Sequence, residues 1–191
     1  MPECLFPVRQ ILAAARFAAE RHAAQRRKGR TAEPYVNHLL EVAELLARTA
    51  ADLDTNLIVA ALLHDTIEDV GVTRQELAER FGDDVASLVA EVTDDKSLPK
   101  EIRKALQVEN APKKSARAQA LSTADKIANV RSVATSPPAN WSFERRVEYV
   151  RWARQVVGRY SQLDSGLAAE FQQVSAELQE WEKSGGTKDF F

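Results

Sequence analysis

Thirty alanines set against seven glycines and seven prolines leave this chain of 191 residues little alternative to helix. Alanine has no side-chain freedom to lose in a helix, whereas glycine and proline are the residues that break one. No window alternates strictly between apolar and polar residues, so no segment competes as a strand, and the expected fold class is all-α, a compact multi-helix bundle. Hydrophobic residues at 45% and charged residues at 28% give an ordinary globular balance. A single domain over 1–191 is expected, with a core from about 7–183 and a frayed tail, SGGTKDFF, at 184–191. The net charge of −2 argues against bulk capture of nucleic acid or of an anionic membrane, so neither is expected as a partner. Cys4 is the one cysteine, which excludes an internal disulfide or a thiolate zinc cluster and suits a reducing, cytoplasmic location. The longest clean apolar run, LIVAALL at 57–63, is far too short to cross a bilayer.

Periodicity and caps place the elements. Ile11, Leu12, Ala15, Ala18 and Ala19 give a first amphipathic helix over Val8 to Ala24, broken by the basic loop RRKGRTAEPY at 26–35. A second helix runs from about Asn37 to Thr49. A third, from about Asp54 to Glu68, is the most apolar and belongs at the centre of the core. Thr73 followed by Glu76 is a capping box, Gly82 ends that helix, and Asp83-Asp84 open the next. Pro99 suits the first turn of another, Ser115 to Val133 makes a further one, and TSPPAN at 135–140 is a loop. Ser142 caps a helix through Gly158, and Gln162 to Lys183 makes the last.

Polar groups are out of place in AALLHDTIEDV, where an apolar helix ends in His64-Asp65 and then Glu68-Asp69. Burying such groups is costly unless they pair or hold a metal. Glu68 lies four residues after His64 and Asp69 four after Asp65, so each pair shares a helical face. Imidazole and carboxylate side by side suit a borderline divalent ion such as manganese, iron or zinc; by itself a helix-terminal His-Asp pair is more often a cap or a surface pair than a metal site. His38 and Asp125 also interrupt apolar helices, and with His64 and Asp65 they converge on one ion if those helices pack together. His22, just before the basic loop, reads as a satisfied or exposed histidine. Two basic groups, Arg26, Arg27, Lys28, Arg30 and Lys96, Lys100, Arg103, Lys104, are solvated faces if taken separately. Beside a metal site they suit a substrate with several phosphates. Trp141, Tyr149 and Trp152 read as core or rim packing, with one of them a candidate stacking surface for a base.

The ordered strings HAAQRRKGRTAEPYVNH, AALLHDTIEDVGVT, FGDDV, EVTDDKSLPK, ADKIANVRS and WSFERRVEYVRWARQVV resemble the HD-domain phosphohydrolases. Within them the likeness is to the stand-alone small alarmone hydrolases of the Rel/Spo group, metazoan SpoT-homologue type, and it covers about Ile11 to Val157. The resemblance implies an HD-domain bundle in which His38, His64, Asp65 and Asp125 hold one divalent ion per chain, usually Mn2+. It implies that Glu68 and Asp69 position or deprotonate the attacking water, and that Arg27 and Lys28 contact base and phosphate. Lys100 and Arg145 fall near the substrate phosphates, and Asn129 and Tyr149 in a nucleoside pocket. The implied reaction removes the 3′-pyrophosphate from guanosine tetra- or pentaphosphate, giving GDP or GTP and pyrophosphate. The alternatives are a phosphatase for another nucleotide, such as NADPH or an adenosine alarmone, and a regulator that binds an alarmone without hydrolysing it. Two departures stand out: Leu39 where the family often has proline, and Ser122-Thr123-Ala124 where it has a Val/Lys-Leu-Ala lead-in. Only one helix and a tail follow Val157, so alarmone synthesis is not expected. The expected partner is a small nucleotide substrate, with oligomeric state left open.

Overall fold

The long alanine-rich segments do become helices. A computed structural model describes residues 5–49, 54–163 and 165–185. Among them run α1 (Leu5–Arg21), α2 (Val36–Thr49), α3 (Thr55–Leu63), α4 (Thr66–Val70), α5 (Arg74–Phe81), α6 (Asp83–Val92), α7 (Lys100–Asn110), α8 (Ala116–Thr135), α9 (Phe143–Val157) and α10 (Ser165–Lys183). A 3-10 turn at Ala111–Lys113 joins α7 to α8. The extended pairing among the described residues consists of isolated bridges, Arg26 with Pro34 and Gly29 with Pro138. The expected fraying of the tail falls, beyond Gly185, outside the described residues.

The caps expected at Thr73 and Ser142 form, and Asp54 and Ser115 act as caps as well. Asp54 accepts from the Leu57 amide at 3.1 Å, Thr73 from Glu76 at 3.0 Å, Ser115 from Ala118 at 3.2 Å and Ser142 from Arg145 at 3.3 Å. The capping box is half used: the Glu76 carboxylate goes to Arg21 at 2.5 Å and Arg80 at 3.2 Å, which ties α5 to α1. Gly71 ends α4 at φ 70°, a left-handed conformation that glycine adopts without strain. Pro99 sits at the N-cap of α7, one residue before the first turn.

Helix α3 lies at the centre, with α1, α2 and α6 packed around it and α8 against α2 and α6. Every residue from Leu57 to Leu63 is buried, and α8 buries Leu121, Ala124, Ile127, Ala128 and Val130 against them. Leu62→Ala should therefore cost about 2–5 kcal/mol, since a large buried side chain would leave a cavity its neighbours fill only partly. A urea unfolding curve reads this as a fall in midpoint without a change of slope.

The first helix spans Leu5–Arg21 rather than Val8 to Ala24, and three further features differ from the sequence expectation. The third helix, expected unbroken to Glu68, stops at Leu63 and restarts at Thr66. Side chains take carbonyls from the ladder there: His64 Nδ1 lies 2.8 Å from the Ala61 oxygen, and Thr66 Oγ1 donates to the Leu63 oxygen at 2.6 Å. In α1 the buried stripe is Ala14, Phe17 and Ala18, while Leu12 and Ala19 face outward. The last helix begins at Ser165 rather than Gln162, because the Gln162 amide donates at 2.9 Å to the side chain of fully buried Gln119.

Candidate functional site

The break between α3 and α4 turns two successive side chains to one point. Asp65 has φ −96° and ψ 0°, and its Oδ2 lies 3.1 Å from His64 Nε2. From α2, His38 Nε2 reaches to 3.8 Å from that oxygen, and from α8 Asp125 Oδ1 approaches His38 Nε2 at 3.2 Å and His64 Nε2 at 3.7 Å. The ligand atoms of His38, His64 and Asp65 all lie within 4.8 Å of one another. Three helices that bury each other's apolar faces thus bring together four polar side chains separated in sequence.

The donor set suits a divalent cation. Both histidines are buried, and Nε2 of each has no hydrogen-bond partner while facing the two carboxylates. His64 Nδ1 is engaged with the Ala61 carbonyl, which fixes the proton on Nδ1 and leaves Nε2 as the free lone pair. Burial opposes ionisation of Asp65 and Asp125, yet His64 beside Asp65, and Lys126 and the histidines beside Asp125, hold both well below the usual carboxylate range. Burial lowers and the carboxylates raise the pKa of His64, and the carboxylates prevail. What attracts a proton to Nε2 attracts a metal ion to the same lone pair.

Further side chains orient the carboxylates. Tyr35 donates to Asp65 Oδ2 at 2.6 Å, Asn129 to Asp125 Oδ1 at 2.6 Å, and Lys126 to Asp125 Oδ2 at 3.2 Å. Burial works against the Lys126 ammonium, but Asp125 keeps its pKa above the ordinary lysine value. Its Nζ also lies 5.0 Å from the Trp152 ring centre. The acidic pair divides between two environments. Glu68 accepts from the Asp94 amide at 3.2 Å, has Lys96 and Arg103 at 3.7 Å, and is pushed above the usual glutamate pKa by burial. Asp69 is gripped by Gln25 at 2.7 Å and by Lys96. Gln25 in turn meets His22 Nδ1 at 2.5 Å, and His22 is buried rather than exposed, with its Nε2 left without a hydrogen-bond partner.

Beside this cluster opens a cleft of about 310 Å³ lined by Arg27, Lys28, Asn129, Tyr149, Asp69 and Trp141 among others. Arg27 donates to Asn129 at 3.3 Å, and Trp141 and Tyr149 stand 5.6 Å apart. Lys100 and Arg145 are not part of the lining; they lie over the Trp141 ring at 5.8 and 4.6 Å, at the rim. The basic loop is fastened to the far wall where Gly29 pairs with Pro138, and a Cβ on Gly29 would fall 2.4 Å from the Ser136 oxygen. Sequence reasoning passed over Tyr35, Gln25 and Lys126. Tyr35 and Gln25 lie in a quoted string, in the sequence between His22 and His38, and Lys126 adjoins Asp125, so neighbourhood to a ligand candidate was the available signal.

An all-helical bundle with a His/His/Asp cluster at the join of two helices is the arrangement of the HD domain, and the HD-domain family matches residues 14–154. The chain belongs to that family. It is 49% identical over 147 residues to the guanosine-3′,5′-bis(diphosphate) 3′-pyrophosphohydrolase MESH1 of Xenopus tropicalis, covering 77% of this chain and 82% of the relative. The Homo sapiens protein of the same name is 46% identical over 168 residues, covering 86% and 94%. A solved structure described as a metazoan orthologue of SpoT that hydrolyses ppGpp superposes with a TM-score of 0.84 at 38% identity, covering 92% of this chain and 96% of that one. No described helix is long and apolar enough to cross a membrane.

Proposed function

We propose that this chain is a metal-dependent hydrolase, working as one domain, that removes the 3′-diphosphate of guanosine tetra- or pentaphosphate. The observation that carries the reading is the convergence of His38, His64, Asp65 and Asp125 beside a cleft lined by Arg27, Lys28, Asn129 and Tyr149. The relatives' shared activity supports it. The four side chains would hold one divalent ion, Mn2+ in this proposal, which supplies Lewis acidity to water and phosphate oxygens when bound.

The chain's own groups do the rest. Glu68 lines the same small cavity as His64, Asp65 and Asp125, and burial raises its pKa, which improves a carboxylate as a proton acceptor near neutrality. It takes a proton from the attacking water. The water oxygen bonds to the phosphorus attached at the 3′ position and that phosphorus parts from the ribose 3′ oxygen as pyrophosphate; the proton held by Glu68 is returned in the same turnover, and the 3′ oxygen leaves as the hydroxyl of GDP or GTP. Asp69, held by Gln25 and Lys96, orients the water from the cleft side. Lys126 offsets charge at the reacting phosphate, and Lys100 and Arg145 do so at the rim. Arg27 and Tyr149 offer the purine a guanidinium plane and a ring.

The test is pyrophosphate release by manganese-loaded protein given guanosine tetraphosphate, its adenosine analogue and NADPH in parallel. Release from the guanosine compound, lost on chelation, is expected. Free phosphate from NADPH with no pyrophosphate from either alarmone would overturn the substrate, and binding without turnover would overturn the enzyme. A pH profile adds a further prediction. Because the folded pKa of Glu68 is raised, the carboxyl remains protonated to a higher pH than an exposed glutamate. The acid limb of kcat/KM should therefore lie above the usual glutamate value, with activity lost as pH falls through it, and Glu68→Gln should abolish that limb.

A further inference from the structure

Against the metal cluster lies a second, small cavity of about 60 Å³, lined by Glu68, Asp125, Lys126, Gln107 and Lys114 among others. A larger cleft, about 310 Å³, opens between the loop Thr93 to Leu98, α7 and the 3-10 turn. The two share Gln107 and Lys114, so these side chains form the partition between them. Neither has a lining residue in common with the nucleoside cleft. The reacting centre therefore stands between two separate openings.

Each acid around the larger cleft accepts at least one hydrogen bond from within the protein. Both oxygens of Glu91 accept from Ser115, at 2.6 and 2.8 Å. Asp94 accepts from Gln107 at 2.6 Å, and Asp95 from the Ser97 amide at 2.9 Å. The cations have valence to spare. Lys114 is half-buried, donates to the Glu91 carbonyl at 2.8 Å and forms no ion pair among the described residues. Burial and the nearby Lys126 ammonium both press its pKa below the ordinary lysine value. Arg103 has a buried Nε with no partner, although its other end lies 3.7 Å from Glu68. A half-buried ammonium without a carboxylate is costly until an anion completes it. A water needs about 10–15 Å³ of cavity, so the inner cavity, at about 60 Å³, has room for a phosphoryl-sized group.

We infer that the larger cleft is a second anion site, which receives inorganic diphosphate through Lys114 and Arg103 while the nucleoside remains in its own cleft. The choice of diphosphate as occupant rests on the proposed reaction, of which it is the product; the site itself rests on the partition, on the Lys114 ammonium that forms no ion pair among the described residues, and on the unpartnered Nε of Arg103. Product then leaves by a route that does not require the nucleotide to move first.

The test titrates inorganic pyrophosphate into manganese-loaded protein by calorimetry, with and without saturating GDP, in one buffer throughout. Pyrophosphate should bind the GDP-saturated protein as tightly as the free one. Lys114→Met should weaken pyrophosphate at least tenfold, leave GDP affinity unchanged and preserve the melting temperature. Lys114→Arg should retain affinity, and Lys114→Gln, which keeps a donor for the Glu91 carbonyl, should lose it if the methionine variant does not fold. One-for-one displacement of GDP by pyrophosphate, or an unchanged pyrophosphate affinity in the charge-removing variants, would overturn the site. Orthophosphate serves as the control probe and should bind more weakly than pyrophosphate; equal affinity would overturn the assignment of a diphosphate. A protein that hydrolyses no alarmone yet shows this Lys114-dependent binding would sink the proposed reaction and spare the site.

Discussion

Asp65→Ala is expected to lose its metal ion and its turnover together, with hydrolysis falling by at least ~10³-fold. Asp65 faces Nε2 of both histidines, and no other described carboxylate approaches His64 Nε2 as closely as its 3.1 Å. Without it, His38 and His64 retain only Asp125 as a counter-charge, too few donors to hold a divalent ion against water. Asp125→Ala should act alike from the α8 side. The fold should survive Asp65→Ala, because the apolar core around α3 is untouched, whereas Asp125→Ala also strips the buried Lys126 ammonium of its carboxylate and should lower the melting temperature. Metal content by elemental analysis, turnover and far-ultraviolet circular dichroism on the same samples check all three expectations. Full activity in a metal-loaded Asp125→Ala protein would refute the ligand assignment.

The second large effect separates chemistry from metal binding. Glu68→Gln should lower kcat by about 10²–10⁴, the usual range for loss of a positioned proton acceptor. Its metal affinity should stay within about tenfold of the parent, as expected for a group outside the ligand set. Asp69→Asn should have a smaller effect on kcat, because an amide still receives the Lys96 ammonium and still offers the water a hydrogen bond. Equal loss of metal in Glu68→Gln and Asp65→Ala would show that Glu68 is a ligand instead.

Much of this was legible in the residues. Caps at Thr73 and Ser142 act within one turn of chain, so local chemistry placed α5 and α9 closely. The four converging polar residues were legible because each is an intrusion on an apolar face, where core would otherwise be expected. The break at His64-Asp65 was not, because it arises from side chains drawing carbonyls out of a helix whose pattern continues without interruption. Lys100 and Arg145 were placed with the phosphates by resemblance, and their position over Trp141 depends on how α7 and α9 meet, which no local spacing encodes. Lys114 and Gln107 were invisible for the same reason. They come together only when α7 turns into α8, and nothing in their own neighbourhood marks either as more than a surface residue.

The join between Gly29 and Pro138 has one last consequence. Two irregular segments are pinned to each other through main-chain atoms, at a spot so tight that only a residue without a side chain fits. The entropy of ordering them is lost when the protein folds, not when a nucleotide arrives. A ligand entering there meets a finished mould, and its association should be governed by charge and diffusion rather than by waiting for a flap to settle.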